Sequence, residues 1–232
     1  MNVLITGATK GIGRAVAEKF ASHGAAVAIC ARNKKDLDDF SKHLQTQYKI
    51  EVLAEVCDVA DKKSLLAFSD HVKKNWKQLD ILVNNAGIYL PGKVMDEDEG
   101  TLEKMMDTNL YSAYHLTRAV LPLMLPKKSG HIFNICSVAS LGAYPNGGSY
   151  SISKFALLGF SKALREELKP HHIRVTSLLP GAVLTSSWDG VDLPESRFID
   201  VEDIAALVYD IHALSPRTVV EDIVIRPMEG DI

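Results

Sequence analysis

Short apolar runs alternate with longer segments of helical periodicity along the whole chain. The apolar runs predict seven strands, at 2–6, 25–31, 50–56, 79–84, 131–136, 173–179 and 222–226. The segments between them predict helices, at 11–23, 34–47, 62–76, 97–126, 149–169 and 201–213. Strands that alternate with helices through short connections form parallel sheets covered on both faces. The pattern therefore predicts an α/β fold with a doubly wound, parallel, seven-stranded sheet.

Length and charge narrow the class of protein. A chain of 232 residues fits one domain, 1–232, that buries a full core, and no linker or repeat divides it. The net charge is −3 and the isoelectric point about 6.2, so there is no basic surface for nucleic acid or an anionic membrane. We expect neither partner.

Cysteine and acidic residues give no pattern typical of a metal site. Cys30, Cys57 and Cys136 each end a predicted strand, and this odd, sparse set indicates buried thiols in a reducing compartment. The acidic cluster Asp96–Glu99 fits the solvated start of a helix, with a metal site as the alternative. The first predicted strand begins at residue 2, and no apolar run approaches ~18 residues. We expect a cytoplasmic protein without a metal.

The first predicted strand runs into a glycine-rich loop, Gly7-Ala-Thr-Lys-Gly11-Ile-Gly13, and a helix follows. This strand–loop–helix context is typical of a dinucleotide site, because glycines let the backbone approach a pyrophosphate and the helix N–H groups point at its charge. The spacing differs from the common Gly-x-Gly-x-x-Gly. A plain tight turn is the alternative.

Tyr150 and Lys154 lie four residues apart in a predicted helix, so their side chains share one face. A cation beside a phenol favours the phenolate, and carbonyl reduction needs a group that protonates the forming alkoxide. A second pair with this spacing, Tyr89 and Lys93, encloses Pro91 and Gly92 and cannot form a helical turn. Only the first pair has the geometry of a proton donor and its cation.

Taken together, these motifs resemble the short-chain dehydrogenase/reductase family of the compact single-domain kind, over nearly the whole chain. The matching elements occur in the family's order: Thr6-Gly7…Gly11-Ile-Gly13, Asp58-Val59, Asn84-Asn85-Ala86-Gly87, Asn109, Ser137, Tyr150…Lys154 and Pro180-Gly181…Thr185. The resemblance implies a Rossmann-type sheet and a nicotinamide-dependent oxidoreductase.

The resemblance also implies roles for individual residues. Ser137 would bond the substrate carbonyl, Tyr150 would donate the proton, Lys154 would hold the nicotinamide ribose and support Tyr150, and Asn109 would hold a water of the proton relay. A helix cap at Ser137 and a helix distortion at Asn109 are the alternatives. The implied cofactor contacts are Gly7, Thr9, Lys10, Gly11, Ile12, Gly13, Arg32, Asp58, Val59, Asn85, Ala86, Gly87, Tyr150, Lys154, Pro180, Gly181, Val183 and Thr185.

The end of the second predicted strand indicates which dinucleotide is preferred. An NAD-binding protein usually places a carboxylate there, whereas this chain has Ala31 followed by Arg32. Arginine can bind a 2′-phosphate through charge-assisted hydrogen bonds, and Lys10 adds a second cation. Both positions match family members that prefer NADPH, so we predict NADPH over NADH. Surface cations without a role are the alternative, since Lys34 and Lys35 make the region basic anyway.

Substrate identity is less determined. The chain resembles 3-oxoacyl-carrier-protein reductases, but its ending, Arg226–Ile232, replaces the Val-Asp-Gly-Gly of that group and also suits sepiapterin-type or general carbonyl reductases. Pocket walls are predicted at Leu141–Pro145 and Leu184–Phe198. Trp188 either stacks on a flat substrate or packs the second segment against the sheet.

Two further expectations concern assembly and activity. The helix segment Phe155–Phe160 is apolar all round, and one sheet covers only one side of it, so a homodimer or homotetramer through this helix is predicted. A helix buried within the monomer is the alternative. A catalytically idle NADPH-binding sensor remains a second class of function, disfavoured by the presence of Asn109, Ser137, Tyr150 and Lys154 together.

Overall fold

The computed structural model describes all residues, 1–232, and its seven strands form one sheet. The strands are Asn2–Thr6 (β1), Ala26–Ala31 (β2), Val52–Val56 (β3), Ile81–Asn84 (β4), Gly130–Ile135 (β5), Ile173–Pro180 (β6) and Asp222–Ile225 (β7). They are all parallel, in the order β3-β2-β1-β4-β5-β6-β7. The predicted doubly wound sheet is confirmed, with most strands one or two residues shorter than the apolar runs.

Helices cover both faces of the sheet. They are Gly11–Ser22 (α1), Lys34–Tyr48 (α2), Lys62–Asn75 (α3), Thr101–Met106 (α4), Ser112–Val120 (α5), Gly148–Leu168 (α6) and Val201–Ala213 (α7). The larger core cluster packs α1, α2 and α7 on one face, and the second packs α3, α5 and α6 on the other. The strand order reverses between β1 and β4, and in such sheets ligands bind at the carboxyl ends of the strands beside this point.

The single helix predicted at 97–126 is wrong. The chain begins α4 only at Thr101, continues through a π-helical turn at Asp107–Tyr111 into α5, and ends in two 3₁₀ turns, Leu121–Leu123 and Leu125–Lys127. Pro122 and Pro126 lie in the 3₁₀ turns and explain why the α-helix stops, because proline cannot continue an α-helical hydrogen-bond ladder.

The structure can be compared with our predictions on the cysteines and on membrane-spanning segments. Cys30, Cys57 and Cys136 are all buried and unpaired. Burial raises the pKa of Cys136 to about 11, and the nearby Lys154 ammonium only partly opposes this, so the thiol stays protonated. None of the helices has both the length and the apolar character needed to cross a bilayer.

A buried histidine lies at the amino-terminal end of β5, away from the predicted site. The His131 ring is fully buried, stacks on Phe133, and its Nε2 is 2.8 Å from Thr176 Oγ1. Burial is the main reason that the pKa of His131 falls to about 2, and the charges of Arg174 and His212 contribute to this shift. His212 behaves alike, since burial is the main reason that its pKa falls to about 4.

We expect the buried, neutral His131 to make the folded protein less stable in weak acid. His131 in the unfolded chain binds a proton below about pH 6.5, whereas in the folded chain it stays neutral down to about pH 2. The titration of this residue therefore leaves the free energy of unfolding unchanged above about pH 6.5 and decreases it as the pH drops below that value. The loss from His131 alone at pH 5 is about 2 kcal/mol. Urea unfolding of the parent and of His131→Leu at pH 7.5 and 5.0 measures it. The variant should be less stable at pH 7.5 yet lose about 2 kcal/mol less on acidification, and an equal loss in both proteins would contradict the assignment.

Candidate active site

The glycine loop between β1 and α1 packs closely against the neighbouring chain, at positions where side chains would not fit. Gly7 and Gly11 have positive φ values of 64° and 52°, which favour glycine. A Cβ on Gly13 would lie 2.4 Å from the Asn85 amide nitrogen and 2.5 Å from the Gly7 carbonyl oxygen. The loop and the first turn of α1 therefore fit the pyrophosphate of a dinucleotide.

Hydrogen bonds fasten this loop to the neighbouring strand ends. Asn85 donates from Nδ2 to the carbonyl oxygens of Thr6 (2.9 Å) and Gly7 (3.1 Å). Thr6 Oγ1 accepts from the backbone N–H groups of Asn85 (3.1 Å) and Ala86 (3.0 Å), and the Cys30 carbonyl accepts from Gly7 N–H. Thr6 belongs to the motif that we matched to the family, but we predicted no role for its side chain. A buried threonine directly before the first glycine was the available signal.

Cations surround the end of β2, where the adenosine phosphate would lie. Arg32 is exposed and makes no ion pair, whereas Lys10 Nζ lies 3.7 Å from an Asp36 carboxylate oxygen. Asp58 follows β3 nearby, and its Oδ1 accepts from Ala60 N–H, so this carboxylate shapes the turn. The side-chain cap of α3 is provided by Asp61.

Tyr150 and Lys154 lie one turn apart on α6, as their spacing indicates, and Lys154 Nζ is 5.7 Å from the centroid of the Tyr150 ring. Lys154 is 95 % buried, donates to the Ile135 carbonyl oxygen at 2.8 Å and has no carboxylate partner. A buried ammonium without a counter-ion stabilises negative charge that develops nearby. The arrangement can therefore support a phenol that gives up its proton.

Asn109 occupies the π-helical turn and joins three segments of the site. Its Oδ1 accepts from Ile88 N–H (2.8 Å), and its Nδ2 donates to the Ile88 carbonyl (3.0 Å) and to Ser153 Oγ (2.9 Å). A Cβ on Gly87 would lie 3.2 Å from Asn109 Oδ1 and 3.5 Å from Lys154 Nζ. Gly87, Asn109 and Lys154 thus meet at one point. The predicted helix distortion is present, and π turns often occur at functional sites.

Ser137 follows β5 and is 8 % exposed. Its Oγ accepts from Ala139 N–H (3.1 Å), while Ser140 Oγ accepts from Ser137 N–H (3.3 Å), which forms a capping box on the 3₁₀ turn Val138–Ser140. The helix cap that we considered as the alternative role of Ser137 is therefore present. A hydroxyl that accepts from this N–H still has its own proton to donate to another group, so the cap leaves the predicted substrate bond open.

Two further tyrosines stand beside Tyr150 and were not predicted as a group. The Tyr89 ring contacts Tyr150 edge-on with centroids 5.0 Å apart. Burial raises the pKa of Tyr144 well above its usual range, with further contributions from Tyr89 and Tyr150. Tyr144 also lines an open, mainly apolar cleft of about 590 Å³ whose walls include Val94, Pro145, Ser151, Ile152 and Phe155. The cleft includes part of the predicted pocket wall at Leu141–Pro145.

The segment after β6 completes the site on the other side. A Cβ on Gly11 would lie 2.9 Å from the Thr185 methyl group, so the glycine loop and the segment Pro180–Thr185 touch. Val183 forms a bridge to Ile199, and Trp188 packs edge-on against Phe198 with centroids 5.3 Å apart. Trp188 thus packs against the end of its own segment, which is neither of the two roles that we considered for it.

The C-terminal segment returns to the same place. A Cβ on Gly181 would lie 3.0 Å from Asp231 Oδ1 and 3.1 Å from Pro227 Cδ. Asp231 forms an ion pair with Arg226, and Arg197 forms one with Glu229 at 3.4 Å. The unusual ending Arg226–Ile232 therefore lies against the segment Pro180–Thr185, which the family resemblance places in contact with the cofactor.

Comparisons with known proteins agree with this geometry. A sequence model of short chain dehydrogenases matches residues 1–195. The chain is 36 % identical over 240 positions to a sepiapterin reductase from Chlorobaculum tepidum, covering 99 % of this chain and 97 % of that protein. It is 35 % identical over 215 positions to the 3-oxoacyl-[acyl-carrier-protein] reductase FabG of Haemophilus influenzae, covering 88 % and 87 %.

Two solved structures of oxidoreductases superimpose on nearly the whole chain. An alcohol dehydrogenase from Thermococcus sibiricus, complexed with 5-hydroxy-NADP, superimposes with a TM-score of 0.93 at 27 % identity, covering 100 % of this chain and 98 % of that one. L-sorbose reductase from Gluconobacter frateurii, complexed with NADPH and L-sorbose, gives a TM-score of 0.91 at 26 % identity, with 97 % and 95 % covered.

Proposed function

Since the chain belongs to the short-chain dehydrogenase/reductase family of oxidoreductases, we propose that it reduces a ketone of a small molecule to an alcohol with NADPH, residues 1–232 acting as one domain. The observation that carries the proposal is the buried, unpaired Lys154 ammonium one helical turn from Tyr150. A protein that only bound the cofactor could use Lys154 for the ribose, but it would need no phenol one helical turn away.

The reaction uses four side chains. A bound nicotinamide would supply the hydride to the carbonyl carbon. Ser137 Oγ–H and the Tyr150 hydroxyl hold the carbonyl oxygen, and Tyr150 gives it a proton as the alkoxide forms. Lys154 stabilises the resulting phenolate and would bind the ribose hydroxyls of the cofactor. Asn109, fastened to Ile88 and Ser153, keeps the base of the site in place for the water that returns a proton.

We propose that NADPH is the preferred cofactor because Arg32 is exposed and free of a carboxylate partner at the end of β2. Lys10 adds a second cation at this place, although its ammonium also pairs with the Asp36 carboxylate. Two structural relatives were solved with NADPH or an NADP derivative bound, which is consistent with this choice.

For the substrate we favour a sepiapterin-type side-chain ketone over a carrier-bound 3-oxoacyl thioester. The C-terminal ending that departs from the 3-oxoacyl reductases lies against Gly181, so the departure falls at the site itself. Alignment with the sepiapterin reductase also takes in 99 % of the chain, against 88 % for FabG. The thioester remains the second candidate, because a mainly apolar cleft beside Tyr144 also suits an acyl chain.

Oxidation of NADPH followed at 340 nm tests the proposal against four carbonyl compounds: sepiapterin, acetoacetyl thioester, a vicinal diketone and an aromatic aldehyde. Turnover of sepiapterin or the diketone in preference to the thioester is expected. Preference for the thioester would reverse our choice of substrate. Binding of NADPH without any turnover would favour the sensor function and overturn the proposal.

We also propose that the protein assembles as a homodimer or homotetramer through the outer face of α6, formed by Ile152, Phe155 and Gly159. Phe155 is 47 % exposed although the helix is apolar all round, and the Tyr114 ring of α5 continues this face through contact with Phe160. The three free, buried thiols favour a reducing location such as the cytoplasm.

Phe155→Glu should shift the protein from oligomer to monomer, because a charge would have to be buried without a partner. Sedimentation velocity at several concentrations measures the change. Met228→Glu, which places the same charge at a fully exposed apolar residue of the C-terminal segment, is the matched control and should assemble like the parent. A parent that sediments as a monomer at all concentrations would contradict the assembly.

A further inference from the structure

Helix α6, which carries Tyr150, begins without a capping side chain of its own. Its N-cap is Gly147, and the first helical residue is Gly148. The first N–H groups of a helix have no partner within the helix and need an acceptor from elsewhere. Glu97, 52 residues away in the chain, provides one: its Oε1 accepts from Ser149 N–H at 2.9 Å, and its other oxygen accepts from the Ser149 hydroxyl.

Glycines make this contact possible. A Cβ on Gly148 would lie 2.5 Å from Glu97 Oε1, and a Cβ on Gly92 would lie 2.6 Å from Glu97 Cγ. The backbones of the two segments are joined as well, since Gly148 N–H donates to the Gly92 carbonyl and Gly92 N–H to the Asn146 carbonyl, each at 3.0 Å. The Glu97 carboxylate therefore occupies a space that the surrounding chain leaves free for it.

The contact bears directly on Tyr150. Ser149 is its neighbour in the chain, so the carboxylate fixes the helical turn from which the phenol projects. The segment 88–97 also carries Tyr89, whose ring edge lies against the Tyr150 ring. This segment is fastened at its start by Asn109 through Ile88 and at its end by Glu97 through Ser149.

We propose that Glu97 is a positioning residue for Tyr150, which holds the catalytic helix and the Tyr89 ring in the arrangement that proton transfer needs. The inference rests on the proposed role of Tyr150 as proton donor. Glu97 itself touches no reacting atom. The neighbouring acidic residues Asp96, Asp98 and Glu99 are exposed and accept no side-chain bond, so the role belongs to one carboxylate of the cluster.

Three variants test this role. In Glu97→Ala the turn loses its acceptor, and we expect kcat to fall roughly 10- to 100-fold, as misplacement of a reacting group by about 1 Å does, with little change in the dissociation constant of NADPH. In Glu97→Gln an amide oxygen can still accept from Ser149 N–H, so most of kcat should return. Glu99→Ala is the control for loss of an acidic residue and should match the parent.

A readout that does not need turnover keeps the test independent of the substrate. In protein labelled with ¹³Cζ-tyrosine, the Tyr150 resonance is identified by its loss in Tyr150→Phe. We expect it to shift or broaden in Glu97→Ala, return towards the parent position in Glu97→Gln, and stay unchanged in Glu99→Ala. Thermal unfolding shows that each variant is folded.

The outcomes separate this inference from the proposed function. An unchanged Tyr150 resonance in folded Glu97→Ala, or a parent-like kcat on a substrate that the parent reduces, would overturn the positioning role alone. A parent protein that reduces nothing would overturn the proposed function, and the resonance would then still decide whether Glu97 holds Tyr150.

Discussion

Tyr150→Phe should lose nearly all turnover while still binding NADPH. The substitution removes one hydroxyl and keeps the ring that packs edge-on against Tyr89. A positioned proton donor contributes roughly 10²- to 10⁴-fold to the rate, so we expect kcat to fall by that factor. Stopped assays at 340 nm measure kcat, and quenching of tryptophan fluorescence measures the dissociation constant of NADPH, which should be nearly unchanged.

Tyr89→Phe is the matched control for this experiment, because it also removes a phenolic hydroxyl within the same group of rings. That hydroxyl donates a long, 3.4 Å bond to the Asn146 carbonyl, and the Tyr89 side chain is exposed. We expect Tyr89→Phe to keep most of the parent activity. If the two variants were equally inactive, loss of either phenolic hydroxyl in this group of rings would be enough to stop turnover, and Tyr150 would lose its assignment as the donor.

Arg32→Asp should reverse the choice of cofactor. The arginine has no carboxylate partner to leave unpaired, so its removal acts mainly on the ligand. Charge-assisted bonds to a phosphate are each worth about 1.5–3 kcal/mol, and an aspartate would add repulsion, so kcat/KM with NADPH relative to NADH should fall at least about 10- to 100-fold. Steady-state kinetics with each cofactor at a fixed ketone concentration measure the ratio.

Lys35→Asp makes the same change of charge three residues further along the chain, at a side chain that is also exposed and unpaired. It should lower the ratio much less, because general charge near the site acts on NADPH only through solvent. Equal effects of the two variants would mean that the basic surface as a whole attracts the 2′-phosphate and that Arg32 has no specific contact with it.

The fold could be predicted from the apolar pattern because parallel strands are buried on both faces and appear as short, nearly continuous apolar runs. All seven helices and strands from β1 to β4 begin and end within two residues of their predicted bounds. The helix predicted at 97–126 is the one element of the chain whose bounds differ widely from the structure. There the helix start, the π turn and the proline-induced 3₁₀ turns depend on tertiary contacts, and periodicity alone extends through all of them.

The parts of the site whose residues are close in sequence could be predicted. Tyr150 and Lys154 share a helix face, so their spacing was sufficient to place them together. The contacts of Asn85 with Thr6 and Gly7 join residues about 79 positions apart, and the contact of Glu97 with Ser149 joins residues 52 apart. Only the folded chain brings such pairs together. We assigned the acidic cluster to the start of the next helix along the chain, whereas Glu97 caps the start of α6.

The π turn at Asp107–Tyr111 makes the site sensitive to chain length. A π turn contains one residue more than a turn of α-helix. Deletion of one residue there would leave a regular helix, but it would rotate Asn109 by about 100° relative to the core residues of α5. Asn109 would then lose Ile88 and Ser153 while the fold survived. Among descendants of this chain, a one-residue deletion at 107–111 could therefore end the activity without any substitution in the residues that carry it.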